Sequence, residues 1–479
     1  MLFQLLPSKP LAAFLALLLG AILTLAGAVA QAAPLLTPSR FNNGSSVDPL
    51  AVGTRIPVLL VHGLGGGNEG WESFLRAYEK NPAWQAAFKP YSFSYSTSNS
   101  EVAADPTAPR TISALGGSLQ SAMQAFYDKP TASPHFGFGN KRIVILAHSM
   151  GGLVARSMMQ EHVFRDGRRG GDKVLHLITL ATPHHGSPLA DAALELGLQT
   201  VTEVADTWPG FLADLTWTNY DGLNMSGGRC NQWLARLNSY VPRLPVTGNG
   251  RCGTAPPSAL PGYYERIVAY GARDLQTPDL QIGLGIFREG SSPSLLFSYG
   301  WLRNNLPIRY GNDGILPIAS AQFDGAPLWK RAEAFRCDHR FIKRGYTQKV
   351  RTLWSSYSEW AFCAASAGDA TYTSGFSGGY AVSGSIFGAP GGIIDIIRNA
   401  SQAERVFNFA EVDAQHLLQP AGVGTEVGTG YLYRYYPATG AFLAVHEGNL
   451  YYLGPASGNQ LYLVGSLAAT LPIAERAGY

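Results

Sequence analysis

The chain has 479 residues, 46% hydrophobic and only 14% charged, and its 36 Lys and Arg against 33 Asp and Glu leave a formal net charge of +3. That length suits one large domain with a small one beside it, and it can bury a sizeable core. Near-neutral charge without a long basic run excludes a phosphate-binding stripe, so nucleic acid is not an expected partner.

Residues 1–32 read as an export signal. Lys9 is the only charged residue before Arg40, an apolar run follows from Leu11 to about Ala30, and Ala30-Gln31-Ala32 supplies a small-x-small cleavage site. The run approaches the length that spans a bilayer, so an uncleaved anchor is the alternative. The Ala-rich end and Pro34 favour cleavage, which predicts a secreted, extracellular or periplasmic protein.

After an exposed lead-in over 33–55, Ile56 to Val61 is an apolar run ended by a Gly-rich turn, the pattern of a strand covered on both faces. Trp71 to Lys80 has helical spacing, and Tyr91 to Tyr95 alternates as a strand does. Thr111 to Lys129 is long enough for a helix with Leu115, Leu119, Met123 and Phe126 near one face. Further strands are predicted at Ile143 to Ala147, Val174 to Leu180 and Arg266 to Tyr270, with a helix from about Met150 to Glu161. Strands alternating with helices imply a mostly parallel sheet flanked by helices.

Residues 188–245 carry apolar side chains such as Trp208, Phe211, Leu212 and Trp217 without a clear strand, and read as a helical insertion. It is either a cap over the site or a set of ordinary packing helices. The catalytic domain is expected over 33–363, followed by a Gly/Ser-rich connector over 364–423. A small β-rich domain over 424–479 has Tyr431, Tyr433 and Tyr435 in alternation and glycines at turn spacing. Its tyrosines either bind a polymer or surface, or form its core. Four cysteines in an exported chain suggest two disulfides. Of three pairings, Cys230–Cys252 and Cys337–Cys363 are favoured because each closes a modest loop.

Ala147-His148-Ser149-Met150-Gly151-Gly152 stands between a buried strand and a helix. An ester carbonyl needs a nucleophile lifted clear of the backbone, and a tight strand–turn–helix does that when its flanks are small. Here those flanks are Ala147 and Gly151, with Ala where Gly is usual. The helix N-terminus behind Ser149 also favours the negative charge of a tetrahedral intermediate. His62-Gly63-Leu64-Gly65-Gly66-Gly67 follows the first apolar strand. An oxyanion needs two preorganised N–H donors, and Leu64 and Met150 are the candidates.

These two motifs together resemble those of bacterial secreted triacylglycerol lipases and esterases of the α/β-hydrolase superfamily. Ala181-Thr182-Pro183-His184-His185-Gly186-Ser187-Pro188 is similar to the family's Thr-Pro-His-x-Gly-Ser motif, and Asn312-Asp313-Gly314-Ile315-Leu316-Pro317 to its acid-bearing loop. The likeness covers roughly residues 56–345. It implies an α/β-hydrolase fold with a helical cap insertion, to which the C-terminal domain is an addition, and a Ser-His-Asp triad.

A serine hydroxyl needs a base and the base an orienting acid, which this fold takes in the order serine, acid, histidine. His62, His135 and His148 come too early, His162 ends the helix behind the serine, and His176 lies in a strand. His184 and His185 precede any acid and are expected to shape the pocket. His339 follows the candidate acids; His416 and His446 would require the C-terminal domain to complete the site. Asp313 matches the family's loop, Asp274 follows the strand ending near Gly271, Asp279 is a weaker neighbour, and Asp338 reads as a solvated surface charge. The calcium-binding relatives carry an Asp and a Gln after the histidine. Here Arg340-Phe341-Ile342-Lys343-Arg344 follow, so no metal and no organic cofactor are expected. The expected reaction is hydrolysis of a lipid ester through an acyl-Ser149. A polyesterase of the polyhydroxyalkanoate depolymerase type and a non-catalytic binding protein are the alternatives. The cap and the C-terminal domain are the expected contacts with a lipid interface or polymer surface.

Overall fold

A computed structural model of the chain describes residues 34–132, 135–195, 207–217, 231–238 and 262–273, and shorter stretches between 279 and 466. The leader over 1–32, Asp274, His416 and three of the four cysteines (Cys230, Cys252 and Cys363) lie outside the described residues.

The sheet begins with β1 (Leu35–Pro38), β2 (Ile56–Val61), β3 (Phe88–Ser94), β4 (Ile143–His148), β5 (Val174–Leu180) and β6 (Ile267–Arg273). Two short strands, β7 (Asp279–Gln281) and β8 (Ile286–Arg288), precede its last strand, β9 (Arg331–Phe335). The order across the sheet is β1-β3-β2-β4-β5-β6-β9, all parallel except β1, which pairs antiparallel to β3. β2, β4 and β5 are buried along their whole length, as strands covered on both faces must be. Successive residues feed opposite layers. Val58, Leu60, Val144 and Leu146 pack with helix Glu72–Glu79, while Leu59, Val61, Ile145 and Ala147 pack with helices Ile112–Tyr127 and Met150–Glu161. Burying each such side chain contributes about 1.5–3 kcal/mol.

The lead-in is not an exposed segment. β1 closes one edge of the sheet, and Phe41, Val47 and Val52 are buried. A buried polar knot holds it there. Arg55 pairs with Asp48, and the Tyr78 hydroxyl, with one proton to share, lies 2.8 Å from Asp48 Oδ2 and 2.9 Å from the Phe88 carbonyl oxygen. Lys89 donates to the Asp48 carbonyl, and burial pushes its pKa down to about 8. The strand expected over Tyr91 to Tyr95 is β3, and it is buried at all but its last residue rather than on one face alone.

The described parts of the insertion are helices: Pro188–Glu195, Pro209–Asp214 and Gln232–Leu237. Phe211, Leu234 and Leu237 join the same apolar layer as helix Met150–Glu161. A second antiparallel sheet, not anticipated from sequence, runs β11-β10-β8-β7, with β10 Tyr346–Arg351 and β11 Ser356–Ala361. Within the Gly/Ser-rich connector, Ile393, Ile394, Ile396, Ile397 and Ala400 are helical and pack into the layer of Val58 and Leu60. Toward the C-terminus, Leu432–Tyr436, Ala441–His446, Asn449–Leu453 and Leu461–Ser466 form a four-stranded antiparallel meander.

The chain runs from β2 outward to β3, then returns past β2 to β4 and onward. Strand order therefore reverses between β2 and β4, and ligands in open α/β sheets bind beyond the carboxyl ends of the strands at such a point. Val61 stands opposite Ala147, so both Gly-rich motifs leave the sheet side by side at that place.

Candidate active site

Ser149 is the residue between β4 and helix Met150–Glu161, with φ 53° and ψ −133°. A non-glycine residue pays about 1–3 kcal/mol for such a backbone, held here by its surroundings. Its N–H donates to the Leu180 carbonyl at 2.9 Å, and its carbonyl accepts from Gly152 at 3.0 Å. The flanks must be small because of what lies beside them. A Cβ on Gly151 would stand 2.3 Å from the His62 carbonyl oxygen, and one on Gly63 would stand 2.6 Å from Ser149 Cβ. The first Gly-rich loop thus lies directly against the serine.

His339 follows β9 on the loop before the short helix Phe341–Arg344. Its Nε2 is 2.8 Å from Ser149 Oγ, and its Nδ1 is 2.8 Å from Asp313 Oδ2. Asp313 is wholly buried, and its second oxygen accepts from the N–H groups of Ile315 and Leu316, both at 2.9 Å. Its carbonyl accepts from the His339 N–H at 3.1 Å. With the Asp313 carboxylate accepting at Nδ1–H, the lone pair of Nε2 faces the serine hydroxyl. The structure thus brings Ser149, His339 and Asp313 into one hydrogen-bonded row. Among the other acids considered, Asp274 lies outside the described residues, and Asp279 lies in β7.

Of the two expected oxyanion donors, Met150 directly follows the serine and Leu64 follows Gly63, the residue that meets it. Met150 is the first residue of its helix, so no carbonyl of that helix can take its N–H. Leu64 is half-buried, and no hydrogen bond to its N–H is found among the described residues. Its loop is held from both ends. Gly65 N–H donates to Thr97 Oγ1 at 3.0 Å, and His62 Nδ1–H donates to the Gly63 carbonyl at 2.8 Å. His62 Nε2 accepts from the Tyr95 N–H at 3.2 Å, and its ring stacks on Tyr95 with centroids 4.1 Å apart. Burial pushes the His62 pKa down to about 4, so the ring remains neutral in this role at neutral pH.

Asp338 is not a solvated surface charge. It is buried, and its Oδ1 accepts from the N–H groups of Arg340 and Phe341 at 2.8 and 2.7 Å. Those amides open the turn that carries His339 and would otherwise be unsatisfied at a helix start.

His184 is fully enclosed and so does not line an open pocket. Arg156 Nη1 donates to its Nδ1 at 3.2 Å, and its Nε2 lies 3.0 Å from Thr179 Oγ1. Burial holds its pKa well below the usual imidazole range, with the Arg156 charge adding to the effect. Arg156 also donates to the Leu237 carbonyl and to Asn238 Oδ1, at 3.1 and 2.8 Å, and Asn238 Nδ2 donates to the His184 carbonyl. This knot joins the helix behind Ser149 to residues 231–238 of the insertion. Nothing in the local sequence marks Arg156 for it. Among the described residues, no group of three or more His, Cys, Asp or Glu is placed to hold a metal, and no helix is long and apolar enough to cross a membrane.

Residues 53–208 match the model of a PGAP1-like alpha/beta domain, a span that includes Leu64, Ser149 and Met150 and ends before Asp313 and His339. No curated protein matches the chain. Among solved structures, the mature lipase BlEst2 of Bacillus licheniformis is 16% identical with a TM-score of 0.37, over 61% of this chain and 89% of that one. A Staphylococcus hyicus lipase is 15% identical with a TM-score of 0.31, over 62% and 91%. Lipase 1 from Pelosinus fermentans is 15% identical with a TM-score of 0.31, over 60% and 93%. At those values the fold rests on strand order and on the domain match, not on these three likenesses. The chain has the α/β-hydrolase fold, and its residues 53–208 match a PGAP1-like alpha/beta domain.

Proposed function

We propose that this chain is an exported serine carboxylic ester hydrolase, acting on triacylglycerols and related lipid esters through an acyl-enzyme on Ser149. The observation that carries the reading is the row Ser149 Oγ, His339 Nε2 and Nδ1, Asp313 Oδ2, with 2.8 Å at each link.

In this reading His339 takes the proton of Ser149 Oγ as that oxygen bonds to the ester carbonyl carbon. The carbonyl oxygen becomes an oxyanion and accepts from the amides of Leu64 and Met150, each worth a factor of about 10² to 10³. The tetrahedral intermediate expels the alcohol, which leaves with the proton held on Nε2. Water then attacks the acyl-serine with His339 again as base, releasing the carboxylic acid and restoring Ser149. Asp313 holds the Nδ1–H tautomer and faces the imidazolium charge that forms twice per cycle.

A lipid substrate is supported by the resemblance of the Ser149 and Leu64 motifs to those of secreted lipases, and the insertion over 188–245 is in this reading the cap over the site. Export is supported by the apolar leader over 1–32 and by the even count of four cysteines, which fits disulfides formed in an oxidising compartment. The remaining units are a connector over 364–423 and a β-rich domain over 424–479 that contacts the lipid interface.

The test is a series of p-nitrophenyl esters beside triacylglycerol and polyester emulsions, run on wild type and Ser149→Ala. The reading predicts that wild type cleaves the esters and clears the triacylglycerol, and that Ser149→Ala does neither. Clearing of the polyester alone would move the substrate to that class. Equal activity in both proteins would remove Ser149 from the reaction.

A further inference from the structure

His148 precedes Ser149 at the end of β4, and its side chain meets two other loops. Its Nε2 lies 2.6 Å from the carbonyl oxygen of His339. A carbonyl only accepts, so the ring carries its proton on Nε2 and donates there. On its other edge, Nδ1 has no hydrogen-bond partner among the described residues and lies where a Cβ on Gly63 would meet it at 3.2 Å. The ring is thus wedged between the loop of the base and the loop of Leu64, with centroids 4.9 Å from His339.

The consequence is a complete set of tethers on His339. Its N–H donates to the Asp313 carbonyl, its Nδ1–H to the Asp313 carboxylate, and its Nε2 faces Ser149, while its own carbonyl is taken by His148. The dipeptide His148-Ser149 therefore touches both ends of one residue, the backbone through the first side chain and the imidazole through the second. Burial holds the His148 pKa well below the usual range, helped by the Lys343 and His339 charges and by His62. An uncharged donor suits the place, because a second cation beside His339 would oppose the imidazolium that forms there during turnover.

We propose that His148 is a positioning residue, whose imidazole clamps the His339 carbonyl and so keeps the general base in reach of Ser149. This rests on the assignment of Ser149 and His339 made above. Misplacement of a reacting group by about 1 Å can cost about 10²-fold in rate. His148→Leu removes the donor at similar volume, and His148→Gln keeps an amide N–H at similar reach. With p-nitrophenyl butyrate, His148→Leu is expected to lose about 10- to 100-fold in kcat with KM within about twofold, and His148→Gln to recover most of that loss. Should the leucine variant not fold, His148→Asn takes its place, since its amide stops short of the carbonyl.

Two results would overturn the clamp: a folded leucine or asparagine variant, in which no donor reaches the carbonyl, with kcat within about twofold of wild type, or equal loss in that variant and the glutamine variant. Labelling by a phosphonate ester separates the two assignments. No label on Ser149 in wild type sinks the triad itself. Label on Ser149 at the same rate in wild type and His148→Leu sinks only the role of His148.

Discussion

Gly151→Ala tests whether the close approach of β2 to the nucleophile's helix is what builds the site. The added methyl would lie 2.3 Å from the His62 carbonyl oxygen and 2.7 Å from that of Val61. Ordinary contact begins at 3.4 Å, so the space is short by about 1 Å. Neither oxygen can easily turn away: Val61 ends a strand laddered to β3 on one side and to β4 on the other, and the His62 carbonyl accepts from the Tyr95 hydroxyl. The start of helix Met150–Glu161 must therefore shift, carrying the Met150 N–H away from Leu64. Overpacking of this kind costs about 1–3 kcal/mol, and a displacement near 1 Å at reacting groups costs about 10²-fold in rate. Steady-state kinetics on a short-chain p-nitrophenyl ester should show the loss in kcat, and a thermal melt should show a folded but less stable protein. A variant with wild-type kcat and an unchanged melt would refute the geometry.

Asp313→Asn should keep the fold but remove the acceptor that fixes the His339 tautomer, with kcat falling by about 10⁴-fold in a pre-steady-state or single-turnover assay. Asp338→Ala leaves the N–H groups of Arg340 and Phe341 without their shared acceptor, and should cost about 1–3 kcal/mol in a denaturant titration, with lower kcat. Asp214, whose Oδ2 accepts from the Ile112 N–H, has its pKa raised to about 6, chiefly by burial and further by Glu161. A carboxyl whose folded pKa is raised favours the fold below its unfolded value, and that contribution fades as pH rises through about 6. Asp214→Asn should therefore be more stable than wild type above that pH, by about 2 kcal/mol or less, with the difference in thermal melts closing toward pH 4. A constant difference across that range would show that Asp214 is not the titrating group.

Much of this architecture was legible because parallel strands buried on both faces are unbroken apolar runs. Ile56–Val61 and Val174–Leu180 begin and end as expected, and Ile143–His148 extends one residue further. What escaped was structure whose cause lies in distant partners. Leu35–Pro38 is too short to declare itself, and its ladder is supplied by β3. The isoleucines around position 395 are diluted by the glycines and serines near them, yet they find a layer of the main sheet to cover. An aspartate whose oxygen caps two amides has the same local sequence as one in solvent, so nothing around Asp338 signals its burial. The site follows the same division. Its serine, oxyanion loop, acid and base stand in motifs that a reader can recognise, whereas the grip of His148 on the His339 carbonyl spans 191 residues of chain and has no local sign.

The claim on which the rest depends is that the hydroxyl at Ser149 is the group that becomes acylated. Reaction of the intact protein with a stoichiometric phosphonate ester, followed by peptide mass mapping, reads it directly. The account predicts one adduct per chain, on the peptide bearing Ser149, and its loss in Ser149→Ala. An adduct on any other residue, or inhibition with no adduct at Ser149, would contradict it.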